Sequence, residues 1–161
     1  MADLRRGAIT IATKLGPMRL IVTDRGLADL ELCPAREKVV TPSRGAHAPS
    51  FPVKLVKQLQ AYAAGQPVRF TIPLDFRAGT SFQQAVWRML QTIPRGQTRS
   101  YAWVAQQIGK PKAVRAVGGA CGANPVPIVV PCHRVVASDG SLGGFSGGLT
   151  LKRRLLALEG Q

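Results

Sequence analysis

The alternation of apolar and polar side chains lays out the first half of the chain. Residues 8–13 (Ala-Ile-Thr-Ile-Ala-Thr) repeat with a period of two, as a half-buried strand does. Leu15-Gly16-Pro17 reads as a turn, Met18 to Thr23 as a second strand and Asp24-Arg25-Gly26 as a hairpin turn. Leu27 to Cys33 alternates again, completing a small antiparallel meander. Residues 34–50 are rich in Pro, Arg, Ser and Ala, lack a period and read as a loop. From Pro52 to Ala64 the period becomes helical, with Val53, Val56, Leu59 or Leu55, and Ala63 at helical spacing. Pro52 stands near the start and Gly65 just past the end, as helices prefer. Val68 to Leu74 reads as a fourth strand that Pro73 ends or confines to a sheet edge. Leu74 to Gly79 reads as the link to a second domain.

Beyond that link the pattern is helical and punctuated. Thr80 or Ser81 can cap a helix carrying Phe82, Val86, Met89, Leu90 and Ile93, and Pro94-Arg95-Gly96 stops it. Ser100 can cap a second helix that runs to about Ile108 and ends at Gly109. A basic turn, Lys110-Pro111-Lys112, leads to a third helix from about Ala113 to Ala123. Two short helices at this spacing predict a helix-turn-helix. In the third helix Ala116, Gly119, Ala120 and Ala123 fall at i, i+3, i+4 and i+7, a face of very small side chains. Its glycines each cost roughly 1 kcal/mol of helix stability relative to alanine. Such a face suits either tight helix–helix packing or the close approach of another body.

The chemistry-bearing stretch is residues 128–136, Ile-Val-Val-Pro-Cys-His-Arg-Val-Val. Ile128 to Val130 reads as a buried extended segment, and Pro131 biases Val130 toward an extended backbone. A thiol reacts only as a thiolate, which needs a base or a positive field nearby. His133 supplies the base and Arg134 a positive charge. Side chains adjacent along an extended segment point to opposite faces, so contact between His133 and Cys132 requires a bend or a bridging water. Judged on Cys132 and His133 alone, a buried core cysteine is as good a reading as a nucleophile.

Pro131-Cys132-His133-Arg134-Val135 resembles the active-site motif of the O6-alkylguanine-DNA alkyltransferases. Arg115-Ala116-Val117-Gly118-Gly119-Ala120 and Asn124-Pro125-Val126-Pro127 precede it at the spacing of that family. Gly143 to Gly148, Lys152, Leu155-Leu156 and Glu159-Gly160 follow it. The resemblance is strong over residues 80–160 and only in outline over 1–76.

The resemblance implies an α/β N-terminal domain over residues 1–76, ribonuclease-H-like, a small antiparallel sheet plus a helix. A mainly α domain over residues 77–161 follows, with a helix-turn-helix for DNA binding and alkyl transfer. It implies direct damage reversal, in which Cys132 takes the alkyl group from O6-alkylguanine, with O4-alkylthymine left open, in a single turnover. The nucleotide is flipped out through the minor groove, whose base code is degenerate enough for damage in any sequence. His133 is then the base, acting through a water, and Glu159 orients it. Asn124 ties the third helix to the active-site segment, and Tyr101 hydrogen-bonds the purine. Arg115 fills the gap in the stack, with Ala116, Gly119, Ala120 and Ser100 as DNA contacts. Val135, Phe145 and Ser146 contact the base. Phe145 stands where relatives carry tyrosine, so a ring is kept and a hydroxyl lost. The product thioether makes the protein stoichiometric, and the transfer needs no cofactor.

Composition supports this picture. The chain has 22 Lys and Arg against 8 Asp and Glu, a net charge of +14, in 161 residues. Both halves share the excess, which favours a polyanionic partner, here double-stranded DNA carrying the lesion. No long apolar run or signal peptide is visible, so no membrane partner is expected. Three cysteines with no short pairing point to a reducing, cytoplasmic setting. Cys33 and His47 are too few for a closed zinc site in the first half, so no metal is expected. A monomer, with cooperativity on DNA left open, is the expected state. Two alternatives share the fold. One is a non-transferring damage sensor, against which Cys132 argues directly. The other is a helix-turn-helix regulator that uses Cys132 as a sensor.

Overall fold

A computed structural model describes residues 7–34, 36, 38 and 53–161. The loop read over 34–50, including His47, and Pro52 at the start of the first helix lie outside these residues, apart from Pro34, Arg36 and Lys38. The chain divides into two compact units between Phe76 and Arg77.

In the first unit, β1 (Gly7–Ile11), β2 (Met18–Thr23) and β3 (Gly26–Leu32) form an antiparallel sheet in the order β1-β2-β3. Met18, Leu20, Leu27 and Leu30 bury the apolar positions of the period-two pattern. Gly26, at φ +139°, closes the β2–β3 turn, and a Cβ there would meet the Pro73 carbonyl oxygen at 2.1 Å. The helix α1 (Val53–Ala63) buries Leu55, Leu59 and Tyr62.

The fourth strand expected over 68–74 does not form. Val68, Phe70, Ile72 and Leu74 are half-buried and alternate with exposed neighbours, so the period-two signal is real. The ladder is missing. Among the described residues, one parallel bridge joins Leu27 to Leu74, through Leu27 N to Pro73 O and Asp75 N to Leu27 O. Pro67 and Pro73 have no N–H to give, and Gln58 Nε2 on α1 donates to the Arg69 carbonyl instead. Asp75 is buried and accepts from Thr23 Oγ1 at 2.8 Å.

The second unit is helical. The helix α2 (Ser81–Leu90) begins with a capping box, in which Thr80 Oγ1 accepts from Gln83 N and Gln83 Oε1 from Thr80 N. The strand β4 (Arg99–Ser100) leads directly into α3 (Tyr101–Gln107), and Ser100 caps it by accepting from Trp103 N. Gly109, at φ +72°, lets the chain leave α3. The helix α4 (Val114–Gly122) has no side-chain cap and packs Val117, Ala120 and Cys121 inward against α2 and α3. A 3-10 turn, Cys132–Arg134, β5 (Val135–Val136) and α5 (Leu149–Leu158) complete the unit. The two-residue strands β4 and β5 pair in parallel, Arg99 with Val135 and Ser100 with Val136. This places the start of α3 beside the segment that follows Cys132. No helix among the described residues is long and apolar enough to cross a membrane.

Candidate active site

The cysteine is presented by a sharply folded segment, which corrects the extended reading of Ile128 to Val130. These residues are buried, but they form a turn closed by Val130 N to Val126 O at 2.9 Å. Ile128 sits at φ +75°, a region that a β-branched residue enters at a cost of order 1–3 kcal/mol. Pro131 follows at φ −81°, ψ 63°, the centre of an inverse γ-turn closed by Cys132 N to Val130 O. Hydrophobic periodicity cannot report such a turn, because all three side chains are apolar and inward whichever way the backbone runs.

Asn124 holds the segment in place. Its Oδ1 accepts from Val126 N at 3.0 Å, and its Nδ2 donates to Val130 O at 2.9 Å and to Cys132 Sγ at 3.1 Å. Cys132 is 3% exposed. Burial pushes its thiol pKa up, against a downward pull from the Asn124 hydrogen bond and the Lys152 charge. The thiol is therefore protonated at neutral pH and needs a base to react.

Behind it, on the same 3-10 turn, lies His133, fully buried. Its Nε2 meets Glu159 Oε1 at 2.8 Å. A carboxylate accepts, so Nε2 carries the hydrogen and Nδ1 presents the lone pair. Burial lowers the His133 pKa, and Glu159 partly offsets it. Glu159 caps the C-terminal end of α5 and is buried there, not in solvent as a helix-end glutamate would be.

Arg134 does not face the thiol as the sequence suggested. Its Nε and Nη2 grip the two oxygens of Glu159 at 2.8 and 2.9 Å, and Nη1 donates to Ile93 O at 2.6 Å. The cation felt at the thiol is Lys152, which sequence reasoning left without a role. Its Nζ is buried and donates to the carbonyls of Val135 (2.6 Å), Leu142 and Gly144 (3.1 Å). The signal was there to find, because Lys152 shares the inward face of α5 with Leu155, Leu156 and Glu159.

A cleft of about 550 Å³ opens onto Cys132. Tyr101, Arg115, Gly144, Phe145 and Ser146 line it, together with Cys121 and the glycines of α4 at 118 and 122. Tyr101 Oη donates to Gly144 O at 3.3 Å, and burial raises its pKa. Cys121, on α4, forms part of the wall; burial and the neighbouring Cys132 push its thiol up to about 12. Asn124, His133 and Glu159 stand behind the cysteine and do not line the cleft. Val135 is buried outside it, with its carbonyl taken by Lys152. Ser100 Oγ is engaged in the α3 cap.

The small-residue face of α4 divides. Ala120 is 3% exposed, and its carbonyl accepts from Trp87 Nε1 at 2.8 Å, so it belongs to the core and not to an outer surface. Ala116, Gly119 and Ala123 are exposed. A Cβ added at Gly118, Gly119 or Gly122 would meet nothing within 4 Å. Packing within the chain therefore does not require these glycines. They keep the outer surface of α4 low beside the cleft.

Two family models match. Residues 8–76 fit the 6-O-methylguanine DNA methyltransferase ribonuclease-like domain, and residues 81–161 fit the DNA binding domain of the same proteins. A methylated-DNA–protein-cysteine methyltransferase of Mycolicibacterium paratuberculosis is 47% identical over 152 residues, 93% of this chain and 90% of its own. An inducible enzyme of that name from Bacillus subtilis is 54% identical over 102 residues, 63% of this chain and 56% of its own. Among solved structures, Mycobacterium tuberculosis OGT in complex with DNA superposes with a TM-score of 0.78 at 45% identity, covering 93% of this chain and 90% of that one. A buried cysteine on a folded turn, a histidine and carboxylate behind it, and matches spanning both units lead to one conclusion: the chain belongs to the methylated-DNA–protein-cysteine methyltransferase family.

Proposed function

We propose that the protein repairs DNA by direct reversal, moving the alkyl group from O6 of guanine to Cys132 once per molecule. The observation that carries this reading is the Cys132 thiol at the inner end of an open cleft, hydrogen-bonded by Asn124 and backed by the His133–Glu159 pair. The relative solved with DNA supports a duplex as the partner.

In this reading residues 77–161 bind DNA and carry the reaction, with residues 1–76 as the companion domain. The lesion lies inside the duplex, so the nucleotide must be flipped into the cleft at a cost of a few kcal/mol. Arg115, exposed at the mouth, fills the stack it leaves. Ala116 and Gly119 let α4 approach the minor groove closely. The purine lies between Tyr101 and the Phe145–Ser146 wall, and Tyr101 Oη moves from Gly144 O to the base. The Cys132 proton passes to His133 Nδ1 through a water, since Nε2 is held by Glu159. Sulfur attacks the alkyl carbon, the carbon–O6 bond breaks, and a thioether forms. The electron pair leaves on guanine, where a hydrogen bond from Tyr101 stabilises it. The work belongs in the cytoplasm, where reducing conditions keep the three thiols free.

The test is intact-protein mass after incubation with excess duplex containing O6-methylguanine, with Cys132→Ser alongside. One added methyl group mapped to Cys132, absent from the variant, is expected. Tight binding to the damaged duplex with no added mass sinks the transfer reading and leaves a damage sensor.

A further inference from the structure

Arg134 is held more firmly than a surface arginine beside an active site needs to be. All three of its nitrogen positions are engaged, two with Glu159 and one with the Ile93 carbonyl, three residues beyond α2. The Glu159 side chain is fully buried and that of Arg134 is 12% exposed. Glu159 Oε1 is shared between His133 Nε2 and Arg134 Nη2, and Oε2 belongs to Arg134. A carboxylate alone with a buried histidine gives its whole charge to the ring and favours imidazolium. An imidazolium cannot take a proton from the thiol. A carboxylate already neutralised by a guanidinium fork still fixes the tautomer but pulls much less on the proton.

We propose that Arg134 is a positioning residue for alkyl transfer, which takes up the charge of Glu159 so that His133 stays a neutral base. The proposal rests on the reading above, in which His133 receives the Cys132 proton. Other charged or titratable groups near His133 act around this pair. Lys152 comes from α5, Cys132 shares its turn, and Arg95 reaches the same helix end through Nη2 to Leu158 O at 2.7 Å. Lys152 and Arg134 both oppose protonation of the ring, in line with its lowered pKa. Lys152 spreads its charge over three carbonyls, whereas Arg134 acts through the one carboxylate the ring touches.

The chain has two histidines, so the imidazole of His133 can be followed by NMR in the 15N-labelled protein, with His47→Gln fixing the assignment. Arg134→Met should raise the pH at which His133 titrates by about one unit. The acid limb of the transfer rate on O6-methylguanine duplex should move with it, an approximately tenfold loss of rate below the limb. On a Glu159→Gln background, where no carboxylate remains to be released, only the direct repulsion between Arg134 and the ring is lost, so Arg134→Met should raise both by much less. A His133 titration unmoved by Arg134→Met overturns the proposal, and so does an equal rise on the Glu159→Gln background. Should Arg134→Met fail to fold, Arg134→Lys replaces it. A single ammonium neutralises the carboxylate less fully, so the titration should rise in the same direction, and an unmoved titration overturns the proposal. If the unaltered protein transfers no methyl group, the transfer reading fails on its own, while the His133 titration still judges the role of Arg134.

Discussion

At the scale of single residues, the site is a contest over the Cys132 proton. Burial holds the proton on sulfur, and Asn124 and Lys152 favour its loss. Asn124→Ala removes the side-chain donor to sulfur, and a hydrogen bond to a charged group is worth about 1.5–3 kcal/mol. The thiolate is the form it favours, so the thiol pKa should rise. Alkylation of Cys132 by a small electrophile at neutral pH should slow by roughly ten- to a hundredfold. The pH dependence of that rate, followed by mass, checks it; an unshifted curve would mean that Asn124 only fastens the backbone. Cys121 gives the opposite expectation. It lines the same cleft, but its pKa of about 12 leaves almost no thiolate at neutral pH. Cys121→Ala should therefore transfer at the unaltered rate, and peptide mapping should find no alkyl group on Cys121 in the parent protein.

At the scale of elements, the parts written in local pattern were legible and the parts built by long-range contact were not. The three strands of the sheet, the Thr80 and Ser100 caps and the stop at Gly109 each follow from a few neighbouring residues. The fourth strand failed because alternation reports burial, not a partner's free edge. The β4–β5 pair was invisible because two residues carry no period, and its registration depends on residues 36 positions away. The Ile128 turn was hidden by its uniformly apolar side chains. An ordered motif singled out Cys132, His133 and Glu159, which the structure brings together, whereas the partner of Arg134 depends on where α5 ends. The cleft wall shows how an element is tied to the chemistry. Gly143 sits at φ +66°, and a Cβ there would lie 2.8 Å from Tyr101 Oη and 2.9 Å from its ring. Gly143→Ala should therefore push Tyr101 aside and slow transfer to duplex DNA, while the strain of alanine at this φ lowers the melting temperature by a few degrees. Thr80→Ala is its counterpart. Loss of the α2 cap should cost about 1 kcal/mol, lowering the melting temperature by several degrees while transfer is unchanged. Equal loss of transfer in both variants would show that the wall has no special role.

At the scale of the whole molecule, the charge is arranged to act outward. The second half carries only two carboxylates, and they are spent differently. Glu159 is buried against Arg134, and Asp139 is exposed in a turn that Ser141 closes. Lys152 is withdrawn onto carbonyls, yet Arg88, Lys110, Lys112, Arg115, Arg153 and Arg154 all remain exposed. A protein consumed by each lesion gains from a fast search of undamaged DNA, and such a search runs on phosphate contacts that ignore sequence. Lys110 and Lys112 form the exposed turn between α3 and α4, before the helix that carries Arg115. Each phosphate neutralised contributes a slope of about −0.9 to the logarithm of affinity against the logarithm of salt concentration. Replacing both lysines by alanine should therefore flatten the slope by nearly two and weaken binding to damaged and intact duplex alike. Anisotropy titrations at several salt concentrations read this directly. Arg115→Ala should behave differently. Its effect should fall on transfer from duplex and spare reaction with free O6-alkylguanine base, because a residue that fills the stack has no work to do when there is no stack. Equal slowing on both substrates would place Arg115 among the groups that hold the base, and would leave flipping to be explained by the surface of α4.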